Sequence, residues 1–192
     1  MTMIRPTLAA AALTFSALTL PAQAAEFTLT SSDIAEGQSL SIAQVFNGFG
    51  CVGLNKSPQL SWSGAPADTK SFAITVYDPD APTGSGWWHW TVFNIPASVR
   101  SLPAGATAPG KGLPQSSIQG RTDFGSSGFG GACPPEGDKP HRYQFVVWAL
   151  KTETLPLDAQ ASGAMLGFYL NAQALATAKL TAVYGRQKPN VK

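Results

Sequence analysis

The stretch that decides the fold is Ser71-Phe72-Ala73-Ile74-Thr75-Val76-Tyr77-Asp78-Pro79-Asp80-Ala81-Pro82, continuing through Gly84-Ser85-Gly86-Trp87-Trp88-His89-Trp90-Thr91-Val92-Phe93-Asn94-Ile95. From Phe72 the residues alternate, so Phe72, Ile74 and Val76 share one face of a strand and Tyr77 points to the other. A loop stiffened by Pro79, Pro82 and glycines follows and carries Asp78 and Asp80. The next strand runs to Ile95 and stops at Pro96. Strict alternation sets His89, Thr91, Phe93 and Ile95 on one face of it, and Trp90 and Val92 on the other. Both faces are partly apolar, which fits a strand inside a two-layer stack. Acid, imidazole and indole between two buried strands read as the wall of a ligand site.

Outward from this hairpin, the clearest strand is His141 to Leu150, with His141, Tyr143, Phe145 and Val147 on one face. Shorter strands are expected at Glu26 to Thr30, Ser39 to Ile42, Gln59 to Trp62, Gly112-Leu113, Ile118 to Gly120 and Lys179 to Tyr184. Phe46 to Gly53 is turn-rich, and its two phenylalanines either pack on the core or line a site. Long loops are expected between Val99 and Ser127, a length that is uncommon unless functional. One helix is expected, capped by Asp158, with Ala161, Met165 and Phe168 or Tyr169 on its buried face up to about Asn171. A second short helical turn is expected at Gln173 to Leu175. The pattern is mainly β.

Residues 1–24 have the form of a signal peptide: a short start with Arg5, an apolar run from Thr7 to Leu20, then Ala22-Gln23-Ala24 before the expected cut. The remaining 168 residues, 25–192, suit a single domain with a full core. Removing Arg5 leaves twelve basic against eleven acidic residues, a dispersed net of +1 with no Lys/Arg block. Nucleic acid and anionic membranes are therefore poor candidates as dedicated partners. No further stretch reads as a transmembrane segment. Export permits the only pairing of two cysteines, Cys51 with Cys133; two buried free thiols are the alternative. Neither lies in a Cys-x-x-Cys motif, so dithiol redox chemistry has no support.

Both histidines sit among groups that a binding site uses. His89 follows the Asp78/Asp80 loop. His141 follows Gly130-Gly131-Ala132-Cys133-Pro134-Pro135, with Tyr143 two residues on and on the same face. Two imidazoles, a phenol and backbone N–H groups freed by Gly130 and Gly131 suit a small anion. Asp78 would orient a histidine or meet a cationic part of the ligand. No helical His pair supports zinc, and prolines break the resemblance of Asp78 to Gly84 to a calcium loop. No metal and no cofactor is expected. No Gly-x-Ser-x-Gly elbow or other nucleophile is evident, so no catalytic residue is assigned.

Four blocks occur in order: Asp78-Pro79-Asp80-Ala81-Pro82, Trp88-His89-Trp90, Gly131-Ala132-Cys133-Pro134-Pro135 and His141-Arg142-Tyr143. Together they resemble the phosphatidylethanolamine-binding protein family, also called Raf kinase inhibitor-like proteins. Asn47 to Cys51, Asn55 to Pro58 and Gly84 to Trp90 are similar to its bacterial branch. The resemblance spans Phe27 to Arg186. It implies a β-sandwich-like fold, with a large antiparallel sheet packed on a smaller one and one or two short C-terminal helices. It also implies a small pocket for phosphate-type or carboxylate groups at Asp78, His89, His141 and Tyr143. The backbone around Gly130, Gly131 and Pro134 would complete it, with Trp88 beside Asp80 at the mouth. The expected function is that of a periplasmic or secreted small-anion-binding protein. The alternatives are a hydrolase using the same pocket and a modulator or inhibitor of an extracytoplasmic protein.

Overall fold

The computed structural model describes residues 26–188; the leader expected at residues 1–24 lies outside them. The strands in chain order are β1 (Thr28–Thr30), β2 (Asn47–Gly48), β3 (Cys51–Val52), β4 (Leu60–Ser63), β5 (Ser71–Asp78), β6 (Trp87–Pro96), β7 (Ser101–Leu102), β8 (Ala108–Pro109), β9 (Gly112–Leu113) and β10 (Ile118–Gln119). They are followed by β11 (His141–Leu150), the helix α1 (Gly163–Gln173) and β12 (Ala174–Tyr184). Five strands form an antiparallel sheet in the order β10-β6-β5-β11-β12, and three form a small sheet in the order β1-β4-β7. The fold is mainly β with one C-terminal helix, as the sequence implies.

The small sheet covers one face of the large one. Leu29, Leu60, Trp62 and Leu102 from the small sheet meet Phe72, Ile74, Val76, Phe145 and Val147 in the main core. The other face of the large sheet is covered by α1, where Leu166 and Leu170 pack on Ala73, Phe93 and Leu150. Burying each of these large side chains contributes about 1.5–3 kcal/mol. They hold the sheet rigid enough to position groups at its end.

Strand β6 departs from strict alternation twice. Between the pairs Tyr77–Trp88 and Val76–Trp90 it carries one extra residue, His89, and between Ile74–Val92 and Phe72–Ile95 it carries another. Each extra residue is a bulge that turns the following side chains over. Asn94 has φ +58° at the second bulge, and its Oδ1 accepts a hydrogen bond from the Leu155 N–H at 2.8 Å. Trp90, Val92 and Ile95 therefore share the main core, while Phe93 faces α1. This corrects the faces expected from alternation, because a bulge depends on the partner strand and leaves no trace in period counting.

Other expectations shift by similar local causes. Ser39 makes only a single bridge, to Val183, and Ser41 caps a 3-10 turn over Ile42–Gln44 in place of the expected strand. Helix α1 is capped by Ser162, whose hydroxyl accepts from the Met165 N–H; Asp158 instead accepts from Gln160 in the preceding turn. The buried stripe is Gly163, Leu166 and Leu170, leaving Met165 and Phe168 exposed. Gly163 decides that rotation, since a Cβ there would stand 2.2 Å from the Trp88 ring. The turn expected at Gln173 to Leu175 is where the helix passes directly into β12. Among the described residues, no helix is long and apolar enough to cross a membrane.

Candidate functional site

At one end of the large sheet, β5, β6 and β11 release their last core-facing side chains into a cavity of about 190 Å³. Asp78, His89, Pro134, His141 and Tyr143 line it, as the sequence reading expects, together with Cys133 and Pro135. Asp78 continues the Phe72-Ile74-Val76 face, and His141 and Tyr143 continue the Phe145-Val147 face. His89 joins them because the first bulge puts it on the side of Trp90.

The two imidazoles are held differently. The carboxylate of Asp78 accepts from His141 Nδ1 at 2.7 Å, with both side chains buried. The other oxygen of Asp78 accepts from the Asp80 N–H at 2.8 Å. His141 Nε2 lies 3.6 Å from Asp138 Oδ2. His89 is held by main chain alone. Its Nδ1–H donates to the Gly130 carbonyl at 2.8 Å, and the Gly130 N–H donates back to the His89 carbonyl at 2.8 Å. A carbonyl can only accept, so the proton of a neutral His89 sits on Nδ1 and leaves a lone pair on Nε2. Burial pushes its pKa below the ordinary value of 6.5, against opposing pulls from Gly130 and Asp78. The ring is neutral at pH 7. Tyr143 is 1% exposed and its hydroxyl has no protein partner within the described residues. Burial, chiefly, pushes the phenol well above its ordinary pKa of 10, so it stays a neutral donor.

Four residues expected at the site stand outside the lining. Asp80 turns to the rim, where it accepts from Arg142 Nε at 2.8 Å, Nη2 at 2.9 Å and the Arg142 N–H at 2.9 Å. That guanidinium holds the Asp80 pKa down at about 2. Trp88 lies on the opposite face, its ring 4.7 Å from Tyr77 and close against Gly163. Gly130 and Gly131 serve the wall from behind. The Gly131 N–H donates to Asn55 Oδ1 at 2.7 Å, so neither glycine keeps a free N–H for a ligand.

The sequence reading missed the aromatic side of the cavity. Phe49, Trp87 and Phe124 line it with Ala81, Pro82 and Thr83. Phe124 stacks on Phe46 at 4.4 Å and meets the edges of Trp87 and His89, each at 5.4 Å. It is aimed there by Asp123, whose carboxylate accepts from the Trp88 N–H at 2.7 Å. Alternation around His89 could have found Trp87, because Trp87 and His89 are two apart. Asn55 was also missed as a positioner: its Oδ1 takes Gly131 and its Nδ2 donates to the Phe129 carbonyl at 3.0 Å.

Phe49 reaches the mouth from a tight hairpin. In the β2–β3 turn Phe49 has φ +52° and Gly50 φ +79°, the left-handed pair that a two-residue turn requires. Glycine adopts this freely, whereas Phe49 bears about 1–2 kcal/mol of steric cost. The Cys51–Cys133 disulfide ties this hairpin to the pocket wall. Arg186 ties it again, donating to Gly50 and Pro134 carbonyls at 3.0 and 3.4 Å and pairing with Glu136.

The sequence and the fold have close parallels. Residues 30–185 match the family model described as phosphatidylethanolamine-binding protein. YbcL of Escherichia coli (strain K12) is 62% identical over 168 residues, covering 87% of this chain and 92% of that one. YbhB of the same organism is 51% identical over 156 residues, covering 81% and 98%. The crystal structure of E. coli YbcL, described as a new member of the mammalian family of these proteins, superposes with a TM-score of 0.83 over 85% of this chain and 100% of that chain. A homologue from Chlamydia trachomatis superposes with a TM-score of 0.70 at 30% identity, covering 84% and 98%. The chain belongs to the phosphatidylethanolamine-binding protein family.

Proposed function

We propose that the chain binds a small anionic group, of phosphate or carboxylate type, in the cavity at Asp78, His89, His141 and Tyr143. One observation carries this reading: a buried tyrosine hydroxyl without a protein partner lines a small cavity together with two imidazoles whose Nδ1 atoms are both engaged. Tyr143 donates to the anion at any ordinary pH. His89 donates through Nε2 once protonated, so anion binding takes up a proton, and affinity falls as pH rises. Asp78 accepts from His141 Nδ1 and so fixes the tilt of that ring.

The reading is of a binding protein. The family match supports a ligand-binding fold; the anion class rests on the cavity. We further propose that the protein works in the periplasm or outside the cell after loss of residues 1–24, which the Cys51–Cys133 disulfide supports.

Calorimetry with inorganic phosphate and acetate from about pH 5 to 8.5, spanning the ordinary histidine range, tests the site. Affinity should weaken as pH rises and vanish in a Tyr143→Phe, His89→Ala double variant. Equal binding by a His89→Ala, His141→Ala protein would overturn the assignment. Turnover of a phosphoester or peptide panel, lost on changing His89, would replace the binding reading with a hydrolytic one.

A further inference from the structure

The anion cavity does not end at its aromatic side. A second cavity of about 320 Å³ shares Phe49 and Phe124 with it. A third, of about 440 Å³, shares Asn55, Ser127, Gly128 and Phe129 with the second. The three therefore lie in a row, from the histidines past Phe49 and Phe124 to Lys56 at the far end. Phe49 is 70% exposed, so the crossing at Phe49 and Phe124 is apolar and open to solvent on the Phe49 side. Beyond it the lining turns mixed, with Asn55, Lys56, Ser57, Thr107 and Ser127 among small apolar groups. Lys56 is exposed, and among the described residues no carboxylate lies within ion-pair distance of it.

That alternation identifies the kind of ligand. An acyl chain running beyond Phe124 would cover the Thr107 and Ser127 hydroxyls and the Lys56 ammonium without supplying partners, which costs free energy for each group left unmatched. An extended peptide presents side chains and main-chain N–H and C=O groups in alternation and fits both kinds of lining. The row is also held in place before any ligand arrives. Asn55 is fixed to both Phe129 and Gly131, and the hairpin carrying Phe49 is fixed by Cys51–Cys133 and Arg186. Little ordering is then left for binding to supply.

We propose that the anion cavity is one end of a peptide-binding groove, in which an extended segment places a carboxylate between the histidines, an apolar residue across Phe49 and Phe124, and further polar or acidic groups toward Lys56. The cavity end of this proposal rests on the anion-binding reading above; the groove beyond Phe124 does not.

The experiment compares probes of increasing length on the purified protein. Inorganic phosphate and acetyl-Asp-amide probe the cavity alone. Mixtures in which one to four random residues follow or precede that aspartate probe the groove in both directions, and dioctanoylglycerol phosphate probes an acyl chain. Affinity should rise by at least about tenfold between the single residue and the longest mixtures of one direction. Ser127→Trp and Lys56→Glu, both on the groove surface, should remove that gain and leave phosphate binding unchanged. No gain with length, or a gain that both variants keep, overturns the groove. A gain confined to dioctanoylglycerol phosphate and lost in these variants assigns the groove to an acyl chain and overturns the peptide. Phosphate bound without a length effect sinks the groove and leaves the anion site standing. Groove-dependent peptide binding without phosphate binding does the reverse.

Discussion

One wall of the pocket, formed by Asp78, His141 and Tyr143, stands on the β5–β11 ladder, whereas the facing wall of Phe49, Phe124 and Pro134 stands on loops tied to one another. On the first wall, position follows from strand pairing. Each side chain is the next outward residue on a face already filled by Phe72, Ile74, Phe145 or Val147, so its direction is fixed by the core. On the second wall no ladder longer than two residue pairs exists, and so short a hairpin does not stand alone. Its place is set by a disulfide, the Arg186 fork and the Asn55 amide. The comparison separates two ways of building a rigid site: by inheritance from a packed sheet, and by cross-bracing of loops.

The largest effect should come from cutting the brace. A Cys51→Ala, Cys133→Ala variant opens a loop with a sequence separation of 82 residues. It should lose about 4 kcal/mol of stability, seen as a lower urea midpoint. Hydrogen exchange should rise most at Phe46 to Gly53, beyond the rise that the lost global stability itself brings at β5 and β11. Equal loosening of both walls would erase the distinction between them.

Breaking the ladder wall should act next. Asp78→Ala leaves His141 buried without its acceptor and should cost about 3 kcal/mol, while sparing exchange in the hairpin. Asp78→Asn keeps one acceptor oxygen and should cost less. A stable Asp78→Ala protein with unchanged anion affinity would show that the pair neither holds nor orients the wall.

His89 sits where the walls meet, and its contribution is a pH effect. Burial lowers its folded pKa, so below the ordinary value of 6.5 the unfolded chain binds a proton that the folded chain does not. Stability from this group is complete above that value and is lost as pH falls toward the folded pKa, by at most about 1.4 kcal/mol per pH unit. His89→Gln should flatten the stability profile just below pH 6.5. Saturating phosphate should shift the wild-type profile the same way, by favouring the protonated ring.

The smallest effect belongs to Asp80, one step beyond the ladder wall. Its pair with Arg142 is solvated, so Asp80→Asn should cost under about 1 kcal/mol at neutral pH. With a depressed pKa, its contribution is present above the ordinary 3.8 and is lost as pH falls through about 2. Anion affinity should not change. A large loss of affinity would move Asp80 from the rim into the site.

The same division explains what the amino-acid order disclosed. Alternation at Phe72 to Tyr77 and at His141 to Val147 places Asp78, His141 and Tyr143 correctly, because both strands keep register with each other throughout. It misplaces His89 and Ile95, because the two extra residues of β6 show only against the pairing of β5; Trp88, which the family resemblance set at the mouth, pairs with Tyr77 and packs on Gly163 instead. Phe124, Asn55 and Arg186 act between segments more than thirty residues apart, and no local spacing encodes such a brace. The free backbone N–H groups expected at Gly130 and Gly131 are both engaged. Gly131 instead lets the chain pass close against Val45 and Phe46, where a Cβ would stand within 2.3 Å of the Gln44 carbonyl oxygen.

The order β10-β6-β5-β11-β12 also bears on how the chain reaches its native state. The β5–β6 hairpin is local, as is the pairing of β11 with β12 through α1, but the β5–β11 seam joins segments about sixty residues apart. Contacts so distant in sequence form against a larger loop-closure entropy and slow the search. Asp78 and His141 meet across that seam and His89 meets Tyr143 over it, so the site comes into being only as the two halves dock. A bound anion would therefore stabilise the docked chain over every half-assembled one, and ligand concentration would set how long the seam stays shut.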